Sequence, residues 1–271
     1  MTDVSIELNK ARRGGYALPA FNTNNMEVTK AICAAAAKSD LPILIATTPG
    51  AIEYAGLKNI FDIVSNEIDS TGIKAAIHLD HAKDFGIIKQ AIDIGYKSVM
   101  FDGSSLDYDE NVANTEKVVR YAHEHNVAVE AEIGVIAREE GGKLSNKAVY
   151  SAPEQVKRFV DDTGIDSVAI SVGNEHGAPV GEKLNLELLR QIAEIVEIPL
   201  VLHGSSGLSS GDVREAISLG IAKINIDTNI RKAFVSAIES SKESDYRNVM
   251  KEGMEEVEKV VEHYIKLLGG K

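Results

Sequence analysis

The sequence predicts an α/β fold, a (β/α)8 barrel with an extra C-terminal helix, and three observations support this prediction. Strand-like apolar runs alternate with helix-like runs along the whole chain, which is typical of βαβ units in a parallel sheet. Eight such units can be counted, several with almost continuously apolar strands. The 271 residues fit one barrel or two ordinary domains. Because no linker-like composition favours two, we expect a single domain over residues 1–271.

The eight predicted strands are short, and polar residues follow nearly all of them. The strands are 16–21, 43–47, 74–79, 98–101, 127–133, 167–172, 200–202 and 223–226. Helix starts between them are indicated by the capping-box spacings of Asn24 with Glu27 and of Ser151 with Glu154, and by the run 209–212. Helix ends are expected at three glycines, Gly95, Gly164 and Gly220.

Two helices are predicted after the eighth strand, at 230–238 and 246–268. The second is the extra helix, and it carries a set of apolar residues: Val249, Val257, Val260, Val261, Ile265 and Leu268. Such a face must pack on something, either the barrel itself or a second subunit. We expect the chain to form a homodimer or a homotetramer.

Composition excludes several classes of partner. The formal net charge of -12 argues against binding to nucleic acid or to an anionic membrane, which depends on clustered Lys and Arg. The single cysteine, Cys33, lies in an Ala-rich helical run and cannot form an internal disulfide, which favours a core position and a reducing compartment. No secretion signal and no run of 18 apolar residues is evident, so we expect a cytoplasmic protein.

Three histidines follow three different strands: His81 after Asp80, then His176 and His203. In a barrel of this kind, groups at the carboxyl ends of the strands meet at one mouth. A lone histidine is more often a satisfied core or loop residue. Three histidines at equivalent strand ends, with the carboxylate of Asp80 beside them, instead predict a metal site.

The last two strands are followed by polar, glycine-containing loops, where barrel enzymes usually bind phosphate through backbone amides and a helix N-terminus. Taken singly, each of these positions fits an ordinary turn equally well. The candidate phosphate-binding residues are Gly204, Ser205, Ser206, Asn225, Ile226, Asp227 and Thr228. Arg231 and Arg247 could meet a second phosphate, although exposed arginines without such a role are commoner.

Six motifs at the predicted strand ends together resemble those of the class II, zinc-dependent ketose-bisphosphate aldolases, the family that contains the fructose- and tagatose-bisphosphate enzymes. The resemblance covers essentially the whole chain. The motifs are Pro19-Ala20-Phe21-Asn22, His78-Leu79-Asp80-His81, Met100-Phe101-Asp102-Gly103-Ser104, Glu130-Ala131-Glu132-Ile133-Gly134, Leu202-His203-Gly204-Ser205-Ser206-Gly207 and Lys223-Ile224-Asn225-Ile226-Asp227-Thr228. The Thr48-Pro49-Gly50 stretch is similar to the tagatose branch.

The resemblance implies that the three histidines hold Zn²⁺ and that Asp102 and Glu132 are alternative or supporting metal ligands. The alternative reading is that Asp102 is a helix cap and Glu132 a carboxylate at the edge of the core. Asp80 would carry the proton of the hydroxyl whose carbon becomes the aldehyde, or hold a ligand imidazole, or do both. Asn22 and Gly177 would contribute to binding a sugar phosphate, and a monovalent cation, Na⁺ or K⁺, would lie near the phosphate loops.

Glu140 matches the family's loop base, eight residues after Glu132. It lies in the polar stretch 138–145, which has little apolar content, so we expect a mobile loop that closes over substrate. Glu139 is the alternative base, and a solvated pair without a role is the other reading. The chain departs from the family at Ala137-Arg138, where paired glycines are usual, and at Glu175, a charge beside His176.

The function that these residues predict is reversible cleavage of a ketose 1,6-bisphosphate, of the fructose or tagatose type, to dihydroxyacetone phosphate and an aldehyde phosphate. The departures leave open which sugar is used, so another phosphorylated ketose is an alternative. A metal-dependent barrel epimerase or isomerase could also use His and Asp at strand ends. An inactive paralogue is a third reading, but it would be expected to lose metal ligands.

Overall fold

A computed structural model describes residues 1–140, 143–144, 148–177 and 183–270, without the side chains of 137–140 and 143–144. The strands are β1 (Leu18–Asn22), β2 (Ile43–Thr47), β3 (Ala75–Ala82), β4 (Ser98–Phe101), β5 (Ala128–Ile133), β6 (Ala137–Glu140), β7 (Lys143–Leu144), β8 (Ser167–Ile170), β9 (Glu175–His176), β10 (Leu200–Leu202) and β11 (Ile221–Ile226). Eight parallel strands close a barrel in the order β1-β11-β10-β8-β5-β4-β3-β2, which confirms the predicted (β/α)8 fold. Three further short strands, β7, β6 and β9, form a separate sheet.

Helices cover the outside of the barrel, and the predicted extra helix is present as α11. The helices are α1 (Val4–Gly14), α2 (Met26–Ala36), α3 (Pro49–Ala55), α4 (Leu57–Thr71), α5 (Phe85–Ile94), α6 (Tyr108–Glu124), α7 (Pro153–Thr163), α8 (Leu186–Ile195), α9 (Ser210–Ser218), α10 (Thr228–Ser240) and α11 (Tyr246–Leu268). None of the helices in the described ranges is both long and apolar enough to cross a membrane.

The predicted helix caps are partly wrong. α2 is capped by Asn25 and not by Asn24, since the Asn25 side chain accepts a hydrogen bond from the Val28 amide. Ser151 does not cap α7; its hydroxyl donates to the Ile133 carbonyl at 2.6 Å and accepts from the Ser171 amide at 2.8 Å. Ser151 therefore ties the end of β5 to the end of β8. The predicted cap at Ser209 and the predicted helix ends at Gly95 and Gly164 are confirmed.

Helix α1 was not predicted, and it closes the N-terminal end of the barrel. Its buried residues Val4, Leu8 and Ala11 pack against apolar side chains that point inward from the bottom of the strands, among them Leu18 and Leu44. This contact seals the bottom of the barrel with an apolar layer. The polar groups of the interior all lie above it.

Helix α11 packs on the barrel that it belongs to. Val257, Val261, Ile265 and Leu268 are buried, and the helix contacts α2 and α10. The Ala17 amide, just before β1, donates to the Leu268 carbonyl at 3.0 Å. The apolar face predicted from the sequence is thus covered within one chain.

The middle of the barrel holds a buried ion pair between Lys223 of β11 and Glu130 of β5. The Lys223 ammonium donates to Glu130 Oε2 at 2.8 Å, and both side chains are at most 2% exposed. His78 of β3 joins them, with its Nε2 3.3 Å from the Lys223 ammonium. Burial would raise the pKa of Glu130, but the charge of Lys223 and the hydrogen bond from His203 outweigh it and lower that pKa to about 2. Glu130 is therefore ionised at neutral pH.

We expect Lys223→Met to lower the free energy of unfolding by about 3–5 kcal/mol, because it leaves the Glu130 carboxylate buried without its counter-charge. The double variant Glu130→Gln/Lys223→Met removes both charges and should lose less stability than Lys223→Met. Urea unfolding followed by circular dichroism measures both effects. A Lys223→Met protein as stable as the wild type would show that this pair contributes nothing.

Candidate metal centre

Asp80 and His81 are adjacent in β3, yet both side chains face the cavity at the carboxyl end of the barrel. In a regular strand, neighbouring side chains point to opposite faces. β3 escapes this rule through an irregularity: Leu79 pairs with Val99 and Ala82 with Phe101, so β3 has one residue more than β4. His81 takes up the extra residue in a left-handed conformation, with φ of 52°. A bulge therefore turns the imidazole inward beside the carboxylate.

His81, His176 and His203 come together, with one ligand atom of each within 4.8 Å of the others. His81 and His176 line the cavity, and His203 is buried beside them. His81 Nε2 lies 2.9 Å from His203 Nδ1, and His81 Nδ1 lies 3.2 Å from Asp102 Oδ2. Burial lowers the pKa of His81, but the charges of Asp80 and Asp102 outweigh it and raise the pKa to about 9. With no ion bound, the His81 ring is thus protonated and hydrogen-bonded on both nitrogens.

The strand that carries His176 is held by two neighbours. β9 pairs in parallel with β6, Ala137 opposite Glu175 and Arg138 opposite His176. On its other side lies Gly204, whose φ is 62°. A Cβ atom at Gly204 would lie 2.5 Å from the Glu175 carbonyl carbon and 2.8 Å from the His176 amide nitrogen. Only glycine permits this approach, which brings the loop after β10 against the backbone of the metal-ligand candidate.

The Asp80 carboxylate is held between two amide side chains. Asn22 Nδ2 donates to Asp80 Oδ2 and Asn225 Nδ2 donates to Asp80 Oδ1, each at 2.9 Å. Burial would raise the pKa of Asp80, but the charges of His81, His203 and Lys223 hold it well below its usual range. The carboxylate is ionised at neutral pH and fixed in orientation.

Asp102 and Glu132 form a second group with His81, again with ligand atoms within 4.8 Å of one another. Asp102 Oδ1 accepts from the Ser104 hydroxyl at 2.7 Å. Glu132 is 3% exposed, and burial beside Asp102 raises its pKa to about 8. At neutral pH without an ion, Glu132 is therefore mostly protonated while Asp102 is charged.

The cavity above these groups has a volume of about 700 Å³. Every candidate phosphate-binding residue contributes to its wall, namely Gly204, Ser205, Ser206, Asn225, Ile226, Asp227 and Thr228, together with Asn22 and Gly177. Thr228 begins α10, whose N-terminal amides favour an anion. Arg231 also lines the cavity, where it donates to Asp227, whereas Arg247 is bound to Asp245 at the exposed start of α11.

Several buried side-chain atoms of this cavity make no hydrogen bond within the described part of the chain. They are Asn22 Oδ1, Asn225 Oδ1 and Ser206 Oγ. Buried polar atoms normally have partners. Their common location indicates a place where a polar ligand completes the hydrogen bonding.

The side chain of Glu140 lies outside the described residues, as do those of Glu139 and the Ala137-Arg138 pair. The backbone around them is described in part: β6 pairs with β9 and, in antiparallel register, with β7. The stretch expected to be a mobile loop thus contains paired strands that adjoin His176.

Four residues of this region were not singled out from the sequence. Glu130 lies beneath His203, and Asn174 donates to the His203 carbonyl at 2.9 Å. Lys83 lines the cavity 3.9 Å from Asp102 Oδ2, and Tyr264 reaches it from α11, where it accepts from Asn229 at 2.8 Å. Glu130 lies in one of the six motifs at the strand ends, and its two-residue spacing from Glu132 was a usable signal. No sequence signal pointed to Tyr264, because its place at the cavity depends on how α11 packs on the barrel.

The donor set fits a divalent metal ion. Three imidazoles from three parts of the chain lie together, and carboxylates contact the rings of two of them, as is usual for metal-binding histidines. Imidazole ligands suit zinc and the neighbouring transition metals. The open cavity above the rings leaves room for a further ligand.

Comparison with known proteins gives consistent results. The family model described as fructose-bisphosphate aldolase class-II matches residues 2–271. The structure is similar to the YdjI aldolase from Escherichia coli K12, with 31% identity, 99% of this chain and 97% of that chain covered and a TM-score of 0.90. It is similar to a putative fructose-1,6-biphosphate aldolase from Coccidioides immitis, at 30% identity, 98% and 96% coverage and a TM-score of 0.90. A fructose-bisphosphate aldolase from Campylobacter jejuni shares the fold at 23% identity, 99% and 95% coverage and a TM-score of 0.82.

We expect His203→Ala to weaken Zn²⁺ binding at least about a hundredfold, because one of three imidazole donors is lost. His263→Ala, on the exposed face of α11, is the matched control and should bind Zn²⁺ normally. Metal content after dialysis and competition with a chromophoric chelator measure the effect, and circular dichroism confirms folding. Equal Zn²⁺ content in both variants would contradict a metal site at His203.

Proposed function

Because the chain belongs to the class II fructose-bisphosphate aldolase family, we propose that it is a zinc-dependent aldolase that reversibly cleaves a ketose 1,6-bisphosphate, of the fructose or tagatose type. The products are dihydroxyacetone phosphate and an aldehyde phosphate. The observation that supports this proposal best is that three imidazoles lie together beside the Asp80 carboxylate, which two amide side chains hold in place at the cavity wall.

In this proposal His81, His176 and His203 hold Zn²⁺, which supplies a Lewis acid for the ketose carbonyl. Asp102 orients the His81 ring through its hydrogen bond to Nδ1, and Glu132 stands ready as an alternative donor. His81 must lose one of its two ring protons when the ion binds, since the nitrogen that binds a metal must be unprotonated.

Asp80 accepts the proton of the hydroxyl at the carbon that becomes the aldehyde. As that O–H bond breaks, the carbonyl forms and the neighbouring carbon–carbon bond cleaves, leaving its electron pair on the dihydroxyacetone phosphate fragment. The amides of Asn22 and Asn225 occupy one lone pair on each Asp80 oxygen, so the carboxylate is aimed and not free to rotate. In condensation Asp80 returns the same proton.

A second proton transfer is needed at carbon. The enediol fragment left after cleavage becomes dihydroxyacetone phosphate only when its carbon gains a proton, and Asp80 serves the hydroxyl on the other fragment. We assign this transfer to Glu140. What supports the assignment is the position of β6, whose backbone pairs with the strand of His176 and so brings the hairpin to the edge of the cavity.

The phosphate of the dihydroxyacetone half is assigned to the loops after β10 and β11. Gly204 and Gly177 give close backbone approach, and the N-terminus of α10 adds a favourable dipole for an anion. A monovalent cation, Na⁺ or K⁺, near these loops belongs to the same proposal. In a chain of net charge -12, local positive charge and backbone amides are needed to attract an anionic substrate.

A substrate panel tests the proposed reaction. Fructose 1,6-bisphosphate and tagatose 1,6-bisphosphate are incubated with the Zn²⁺-loaded protein, and dihydroxyacetone phosphate is detected by a coupled dehydrogenase. Release of this three-carbon product supports an aldolase. Conversion of one hexose phosphate into another without it would identify an epimerase or isomerase, and no turnover with either sugar would contradict the proposed substrates.

We expect Asp80→Ala to retain Zn²⁺ and to lose turnover by a factor of about 10²–10⁴, the usual contribution of a positioned acid or base. Asp161→Ala, a carboxylate on the exposed face of α7, serves as the control and should be unaffected. Steady-state cleavage rates and metal content are measured together. Normal turnover in Asp80→Ala would assign the hydroxyl proton to another group.

We expect Glu140→Ala to abolish the exchange of the carbon-bound proton of dihydroxyacetone phosphate with solvent deuterium, with folding and Zn²⁺ content unchanged. Glu139→Ala is the matched control, since it removes the same charge one residue away. Proton NMR in D₂O follows the exchange. If Glu139→Ala loses exchange and Glu140→Ala keeps it, the base is Glu139; if both exchange normally, the hairpin carries no base.

A further inference from the structure

We propose that Glu130 is a positioning residue that fixes which nitrogen of His203 faces the metal, and that the buried ion pair with Lys223 keeps the Glu130 carboxylate a hydrogen-bond acceptor. The inference rests on the metal site of the proposed function and not on the identity of the sugar. It concerns two residues beneath the cavity, which take no part in the chemical steps described above.

The contact between Glu130 and His203 is short and fully buried. His203 Nε2 lies 2.7 Å from Glu130 Oε1, with the two side chains 0% and 2% exposed. An ionised carboxylate only accepts hydrogen bonds, so His203 Nε2 must carry the hydrogen. In a neutral ring, Nδ1 is then unprotonated, and Nδ1 is the nitrogen that faces His81. Glu130 therefore selects the tautomer of His203 whose Nδ1 lone pair faces the proposed metal site.

The contact with Lys223 keeps Glu130 in the ionised form on which this choice of His203 tautomer depends. The Lys223 ammonium donates to Glu130 Oε2 at 2.8 Å, which leaves Oε1 for His203. If Glu130 were neutral, it could donate a hydrogen bond to His203 Nε2 and thereby stabilise the opposite tautomer, with a proton on Nδ1. The buried positive charge of Lys223 disfavours that neutral form.

His78 completes the network from below. Its Nδ1 lies 2.8 Å from the Ser98 hydroxyl and its Nε2 lies 3.3 Å from the Lys223 ammonium, so the ring accepts from Lys223 and donates to Ser98. Burial and the charge of Lys223 lower the pKa of His78 to about 3, which keeps the ring neutral. The contacts of Lys223 with Glu130 and His78 thus agree with an ionised Glu130 and a neutral His78.

Two of the ligand histidines are consequently oriented from different sides. Asp102 fixes His81 from the wall of the cavity, where substrate can reach it. Glu130 fixes His203 from the interior of the barrel, where nothing that enters the cavity can disturb it.

The substitution Glu130→Gln tests the tautomer directly. Beside Lys223, the new amide must turn its oxygen to the ammonium and its NH₂ group to His203 Nε2. This favours the His203 tautomer with a proton on Nδ1. We expect the dissociation constant for Zn²⁺, measured by chelator competition, to rise about 10–100-fold, the usual effect of removing such a partner. The double variant Glu130→Gln/Lys223→Met lets the amide turn round, and it should regain at least half of that loss on a logarithmic scale.

Met100→Ala is the matched control, because Met100 is buried in the barrel interior within a separate apolar cluster. It lowers stability without changing a charge or a hydrogen bond, and its Zn²⁺ affinity should equal that of the wild type. If Met100→Ala weakens Zn²⁺ binding as much as Glu130→Gln does, loss of stability explains the effect and the proposal is wrong. A Glu130→Gln protein with wild-type affinity would also overturn it.

A measurement on the wild type keeps the proposal testable even if Glu130→Gln does not fold. With ¹⁵N-labelled histidine and ¹¹³Cd²⁺ as the probe ion, NMR couplings show which nitrogen of His203 binds the metal and which carries hydrogen. We expect ligation through Nδ1 and hydrogen on Nε2; ligation through Nε2 refutes the proposal. Absence of aldolase activity together with Nδ1 ligation would count against the proposed function and leave this inference standing.

Discussion

A charge can remain inside a closed barrel only when it is paired and hydrogen-bonded, and the pairing of Glu130 with Lys223 meets this requirement at the middle of the molecule. Below the pair, α1 and the inward-facing apolar residues of the strands form an ordinary core. Above it lie the polar side chains of Asp80, His81 and His203. The ion pair thus lies between the apolar core below and the candidate site above. Through Glu130 it also holds His203 of that site.

The upper part depends equally on a break in strand regularity. A strand can present every second residue to the inside, so Asp80 and the adjacent His81 cannot both face inward without a bulge. The left-handed backbone at His81 is unfavourable for a residue with a Cβ, by roughly 1–2 kcal/mol. Local strain at this position is offset by the well-packed strands on either side, which is common where side chains must be aimed.

The fold and the grouping of residues could be predicted from the sequence where a packing rule allows only one arrangement. Alternating strands and helices have few ways to pack, and residues that end parallel strands must meet at one end, so the barrel and the gathering of His81, His176 and His203 could be predicted. The pairing of Lys223 with Glu130 could not, since each is a charged residue within a strand and barrel closure decides which residue it meets. The cap at Asn25 was missed because Asn24 offers the same side chain one residue earlier, and only the backbone path decides between them.

The pairing of β6 with β9 joins the hairpin of Glu140 to the strand of His176 through main-chain hydrogen bonds. Ala137 and Arg138 stand where the resembling family usually has glycines, and both form strands more readily than glycine does. If His176 holds the metal as we propose, a library randomised at 137–140 to accept new sugars would also sample metal affinity. Selection on turnover alone would then enrich variants that retain the metal, and the apparent sugar preference of the survivors would partly record how much metal each one binds.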